Sequence, residues 1–86
     1  NMSWSVNIAG SARKAVKRFS AKDQERILEA LGGFNANPYA GDVEKIAGEV
    51  NTWRRRVGNY RMVYDIDVRN KLVEVRIIKR RASNTY

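Results

Sequence analysis

The chain has 86 residues, 43% of them hydrophobic, and it contains neither cysteine nor histidine. One small domain is therefore expected over residues 1–86, a disulfide framework is excluded, and a zinc site would have to use carboxylates alone. The formal net charge is +8, and ten of the 17 Lys and Arg residues, against three of the nine acids, fall in the last 34 residues. Such a concentration of positive charge predicts a polyanionic partner, most often nucleic acid.

No apolar run approaches the roughly 20 residues that a membrane span needs. The N-terminus also lacks the apolar stretch of a secretory signal. We therefore expect a cytoplasmic protein without membrane contact, and no metal or cofactor.

The first part of the chain predicts a strand followed by two short helices. Apolar residues alternate over residues 3–8, which is typical of a strand with one buried face. Ser11 is predicted to cap a first helix and Ser20 a second one, and Asn37-Pro38 ends the second. Because Ser20 alone joins the two apolar-striped segments, they are expected to form a helical hairpin.

From residue 51 the hydrophobic period changes to two, which predicts strands over residues 51–57, 60–67 and 71–79. The connections between them are two-residue turns, which force antiparallel neighbours. Residues 39–48 fit either a short helical turn or a loop. The predicted fold is α+β in the order β-α-α-β-β-β, an antiparallel sheet of about four strands with the N-terminal helical hairpin packed on one face.

Strand parity divides the second half into two surfaces. The apolar set expected to face the helices is Trp53, Tyr60, Met62, Tyr64, Ile66, Val73, Val75 and Ile77. Four arginines of the opposite parity should lie together on the open face, and they are Arg54, Arg61, Arg76 and Arg80. Tyr86, at the end of the tail, is placed to fold over that face.

Two motifs in this region carry a resemblance to a known family. Residues 53–64 read Trp-Arg-Arg-Arg-Val-Gly-Asn-Tyr-Arg-Met-Val-Tyr, and residues 79–86 read Lys-Arg-Arg-Ala-Ser-Asn-Thr-Tyr. The first is similar to the aromatic–Arg–x–Arg–x–Gly–x–Tyr–Arg–x–x–Tyr pattern of the RelE/ParE superfamily of toxins from bacterial and archaeal toxin–antitoxin pairs. The second resembles the RelE tail, in which a tyrosine follows a basic pair by six residues. The resemblance covers essentially the whole chain.

The resemblance implies a ribosome-dependent endoribonuclease that cuts messenger RNA in the A site. It implies that Arg61 and Arg80 hold the phosphate and stabilise the transition state, and that Tyr86 orients or deprotonates the 2′-OH. Lys79 stands where many relatives have histidine and is a candidate acid toward the leaving oxygen. The residues implied to bind RNA are Arg54, Arg56, Arg76 and Arg81. The implied partners are an acidic, RelB-like antitoxin, the ribosome and messenger RNA.

The chemistry is compatible with these residues, because the RNA supplies its own 2′-OH nucleophile and arginine forks suit phosphoryl oxygens. One departure is Thr52, which stands where RelE-like members often have a second lysine. Two other functions fit the sequence: a ParE-like toxin that binds DNA gyrase without cleaving anything, and a basic RNA-binding module without activity. The spacing from Arg80 to Tyr86 favours the nuclease.

Several of these residues also have purely structural interpretations. For Arg61 the alternative is an ion pair with Asp65 or Glu74. Arg55 and Arg56 fit RNA contact and simple solubility equally well. Four cations on the first predicted helix are more typical of a solvated face than of an RNA contact, and they are Arg13, Lys14, Lys17 and Arg18.

Overall fold

A computed structural model of the chain describes residues 3–81 and contains two helices and five strands within them. The elements are β1 (Ser5–Ile8), α1 (Gly10–Lys17), α2 (Ala21–Ala36), β2 (Val43–Lys45), β3 (Thr52–Val57), β4 (Tyr60–Asp67) and β5 (Leu72–Arg80). The strands form one sheet in the order β1-β5-β4-β3-β2. The predicted α+β class, with a helical hairpin packed on the sheet, is confirmed.

The two helices begin for different reasons. As predicted, Ser20 caps α2, because its Oγ accepts a hydrogen bond of 3.2 Å from the backbone N–H of Asp23. The prediction that Ser11 caps α1 is wrong, since α1 already begins at Gly10 after Ala9, without a side-chain cap. Ala9, at the N-cap position, is still part of the sheet ladder and donates to the carbonyl of Val75 at 2.9 Å, so the chain passes directly from strand to helix. Neither of these two helices is long and apolar enough to cross a membrane.

The sheet has one strand more than the sequence predicted, and it is mixed rather than wholly antiparallel. Val43–Lys45 pairs antiparallel with β3, where we expected a helical turn or a loop. A strand of three residues is too short to show an alternation signal, and it lies between two glycines with positive φ, Gly41 at 95° and Gly48 at 85°. At the other edge β1 runs parallel to β5. Parallel neighbours need a long connection, and here it contains both helices and the strands β2, β3 and β4.

The core lies between the helices and one face of the sheet. Residues Tyr60, Met62, Tyr64 and Ile66 are buried, as their parity predicted, against Ile27, Leu31 and Phe34 of α2. The hydroxyl of Tyr64 donates to the carbonyl of Pro38 at 3.0 Å. Burial raises the pKa of Tyr64 to about 12.

The predicted core set in β5 needs one correction. Ile77 is 41% exposed, whereas Ile78 is 2% exposed and belongs to the core. The reason is a β-bulge: Tyr64 lies opposite Val75 and Val63 opposite Ile77, so Arg76 has no opposite residue in β4. An extra residue on one strand exchanges the two faces for everything that follows it. The bulge therefore decides which basic residues of the C-terminal segment share a face with Arg61.

Candidate functional site

Five arginines line a concave site at the end of the sheet where β3 turns into β4. The site encloses about 200 Å³ and is lined by Asp42, Glu44, Arg54, Arg55, Arg56, Arg61 and Arg81. We call it the arginine groove. Its walls come from β3, β4, the segment around β2 and the residue that follows β5. A groove with five guanidinium groups and two carboxylates is strongly electropositive, so it favours an anionic ligand.

A row of three cations crosses the open face of the sheet beside the groove. In the strand register Arg56 of β3 lies opposite Arg61 of β4, and Arg61 lies opposite Lys79 of β5. Residues directly opposite in an antiparallel pair have Cβ atoms about 4.5–5.5 Å apart, and like charges there are destabilising. An anion bound across the row would remove that repulsion, which is why the arrangement is more typical of a binding site than of a structural surface.

Arg61 and Arg55 are the least compensated cations of the groove. The Nε of each is buried and has no hydrogen-bond partner within residues 3–81, and no carboxylate of that part of the chain lies within 4.0 Å of the charged nitrogens of either. For Arg61 the structural alternative, an ion pair with Asp65 or Glu74, is therefore not observed. A buried donor without a partner is costly unless a ligand satisfies it. Both residues are therefore suited to bind an anion, and Arg61 is the one that also lies in the row with Arg56 and Lys79.

Two of the three arginines that β3 contributes to the groove are paired with acids. Glu44 Oε1 accepts hydrogen bonds from Arg54 Nη2 at 2.7 Å and from Arg54 Nε at 3.1 Å. Asp42 Oδ2 lies 3.8 Å from Arg56 Nε. These pairs hold the two guanidinium groups at the rim of the groove and neutralise part of its charge.

The structure separates Arg76 from the groove. Its Nη1 donates to Asp65 Oδ1 at 3.1 Å, and the same oxygen accepts a 2.7 Å hydrogen bond from the hydroxyl of Thr52. Thr52, the departure noted in the sequence, is thus buried in a polar network next to the groove. This network occupies Arg76 with an internal carboxylate, so Arg76 is less available to RNA than the sequence suggested.

Arg80 lies on the opposite side of the sheet from the one predicted. The bulge at Arg76 places Arg80 opposite Tyr60, and Tyr60 faces the helices. There the Tyr60 hydroxyl donates to Asp23 Oδ2 at 2.9 Å. That hydrogen bond, more than burial, raises the pKa of Tyr60, and the positive charge of Arg80 opposes the increase. The prediction that Arg80 shares the open face with Arg61 is therefore wrong, and Arg81 lines the groove instead.

The groove also contains residues that sequence reasoning did not select. Arg55 has the inward parity of Met62, yet its guanidinium reaches the groove beneath Gly41, where an added Cβ would lie 2.7 Å from Arg55 Cζ. Asp42 and Glu44 arrive with the unpredicted strand β2. A strand of three residues gives no alternation signal that could have selected them. Tyr86 lies outside the described residues, so its predicted position over the open face stays a prediction.

Comparison with known proteins agrees with this architecture. The family model of the ParE toxin of the type II toxin–antitoxin system parDE matches residues 6–83. The archaeal RelE–RelB complex from Pyrococcus horikoshii contains a chain that superposes with a TM-score of 0.86 at 25% identity, covering 96% of this chain and 100% of that one.

Two further relatives have the same fold at lower identity. The toxin–antitoxin complex RelBE2 of Mycobacterium tuberculosis matches with a TM-score of 0.80 at 23% identity over 94% of each chain. The isolated RelE toxin of E. coli matches with a TM-score of 0.81 at 16% identity, over 94% of this chain and 87% of that one. No curated protein sequence gives a significant match. The family model, which covers most of the chain, and the shared fold together confirm the predicted membership: the chain belongs to the ParE toxin family of type II toxin–antitoxin systems and has a RelE-like fold.

Proposed function

We propose that this toxin is an endoribonuclease that cleaves messenger RNA on the ribosome and that Arg61 binds the scissile phosphate. The observation that carries the proposal is the uncompensated guanidinium of Arg61, with a buried Nε and no partner within residues 3–81, in a groove with four further arginines. A phosphodiester offers the two anionic oxygens that such a fork binds best.

The proposed reaction uses the 2′-OH of the RNA as nucleophile and forms a 2′,3′-cyclic phosphate as the 5′-oxygen leaves. Arg61 neutralises the negative charge that develops on the phosphoryl oxygens. Arg81 lines the same groove, so its position supports it, rather than Arg80, as the second phosphate contact. Lys79 lies opposite Arg61 and is the proposed acid for the leaving oxygen. Tyr86 keeps its proposed role toward the 2′-OH. Because DNA lacks that hydroxyl, the reaction is selective for RNA.

The proposal includes an acidic antitoxin as partner. Relatives of this fold have been solved as RelE–RelB complexes, and the arginine groove offers an acidic segment the same charge complementarity that it offers RNA. An antitoxin bound across Arg54 and Arg61 would exclude RNA from the groove. Proposed cellular partners are therefore the antitoxin, the ribosome and its message.

A second candidate function is gyrase inhibition, because the matching family model is that of ParE toxins. The two functions are separated by one assay in a coupled transcription and translation extract, with primer extension on the message and gel analysis of plasmid DNA. Discrete cuts within codons support the nuclease. Intact messages with cleaved DNA support the gyrase inhibitor and contradict our proposal.

The residue-level test compares Arg61→Ala with Arg69→Ala. Arg69 is an exposed cation in the turn after β4, outside the groove, so both variants lose one positive charge. Removing one donor that stabilises developing charge typically slows catalysis about 10²- to 10³-fold. We expect that loss for Arg61→Ala and nearly parental cleavage for Arg69→Ala. Equal activities of the two variants would remove Arg61 from the mechanism.

A further inference from the structure

The arginine groove contains two carboxylates, which is unexpected for a site that binds a polyanion. Asp42 precedes β2 and Glu44 lies within it, and both line the groove. In the register Glu44 is directly opposite Arg54. The hydrogen bonds from Arg54 to Glu44, at 2.7 and 3.1 Å, occupy the guanidinium edge that a phosphate would use, and Asp42 lies 3.8 Å from Arg56 Nε.

These ion pairs are not needed to attach β2 to the sheet. The backbone already provides the attachment, through the β2–β3 ladder and a 3.0 Å hydrogen bond from the N–H of Arg56 to the carbonyl of Asp42. Both pairs are also solvent-exposed: 45% of the Arg54 side chain and 68% of the Glu44 side chain are accessible, and 57% and 69% for Arg56 and Asp42. Exposed pairs of this kind contribute little to stability, so a structural role does not account for them.

We infer that Glu44 and Asp42 are specificity-determining residues of the groove: they compete with RNA phosphates for Arg54 and Arg56 and leave Arg55 and Arg61 as the unpaired phosphate contacts on β3 and β4. The inference rests on the proposed function and adds to it. Free single-stranded RNA then binds weakly, because Glu44 and Asp42 occupy two of the arginines that could contact its phosphates. RNA whose backbone is already held in place, as in a ribosomal site, binds more tightly, because its phosphates can displace both carboxylates without a further loss of chain entropy.

The test measures binding of a 2′-O-methyl RNA 12-mer, which lacks the nucleophile and stays intact, by fluorescence anisotropy between 50 and 300 mM salt. Glu44→Gln keeps the size of the side chain and removes its charge. We expect binding to become about two- to fivefold tighter at low salt, the range that an exposed ion pair allows. The slope of log K against log salt should become more negative by about 0.7, because Arg54 then neutralises one additional phosphate. Asp42→Asn should change both quantities in the same direction.

Glu29→Gln is the matched control, because Glu29 is an exposed acid on α2 outside the groove and the substitution changes the net charge equally. Urea unfolding of each variant verifies that it folds. A slope for Glu44→Gln and Asp42→Asn equal to that of Glu29→Gln would overturn the inference. Arg61→Ala separates this outcome from failure of the proposed function. If Arg61→Ala weakens RNA binding and cleavage while the acid variants match the control, only the inference fails. If Arg61→Ala alters neither, the proposed function fails as well.

Discussion

The bulge at Arg76 predicts that two adjacent isoleucines contribute very differently to stability. Simple alternation along β5 would bury Ile77 with Val73 and Val75, whereas the structure buries Ile78 and leaves Ile77 41% exposed. The variants Ile77→Ala and Ile78→Ala remove the same three carbons from neighbouring positions of one strand. Their loss of intrinsic β propensity is therefore the same, and each variant is the control for the other.

The magnitude follows from burial. Three carbons at about 0.8 kcal/mol each correspond to about 2.4 kcal/mol of transfer free energy when they are fully buried. Ile78, 2% exposed, should lose that amount plus a cavity contribution, which places Ile78→Ala within the usual range of about 2–5 kcal/mol. Ile77 keeps only about three-fifths of its surface buried and leaves no closed cavity, so Ile77→Ala should cost about 1.4 kcal/mol or less. The two free energies of unfolding should differ by at least about 1 kcal/mol.

Urea unfolding monitored by circular dichroism measures both variants, and similar m-values would verify that the transitions are comparable. A larger destabilisation by Ile77→Ala than by Ile78→Ala would refute the bulge. The same result would contradict the composition of the site, because the bulge puts Lys79 rather than Arg80 beside Arg61. A regular β5 would restore Arg80 to the open face.

Three further predictions test other contacts. The pKa of Tyr64 is raised to about 12, so the folded state favours the neutral hydroxyl. The free energy of unfolding of the parent, relative to that of Tyr64→Phe, should be constant below pH about 10. It should fall by about 2–3 kcal/mol between pH 10 and 12. Gly41→Ala and Gly48→Ala should each lower the free energy of unfolding by about 1–2 kcal/mol, because both glycines have a positive φ. Only Gly41→Ala should also slow RNA cleavage, since its Cβ would displace Arg55. Equal effects of the two variants on cleavage would contradict this. Ser20→Ala should cost about 1 kcal/mol in urea unfolding by removing the cap of α2, and an unchanged midpoint would argue against the cap.

Much of this protein was determined by local sequence. The alternation of Tyr60, Met62, Tyr64 and Ile66 defined both the strand and its buried face, and the cap at Ser20 marked the start of α2. The concentration of arginines in the last 34 residues indicated an anionic partner, and the motif of residues 53–64 indicated the family. Each of these signals depends on residues within a few positions of one another, where spacing alone predicts the face on which a side chain lies.

The composition of the groove, by contrast, depends on tertiary contacts. Ile77 and Ile78 are consecutive, so the sequence of β5 fits both phases, and pairing with β4 selects the one that requires a bulge. That pairing moves Arg80 to the helix side and brings Lys79 and Arg81 to the side of Arg61. Glu44 enters the groove within β2, and Asp42 directly before it, because this strand of three residues pairs with β3. Register and edge pairing are set by hydrogen bonds between residues far apart in the chain, so the local spacing of residues does not predict them.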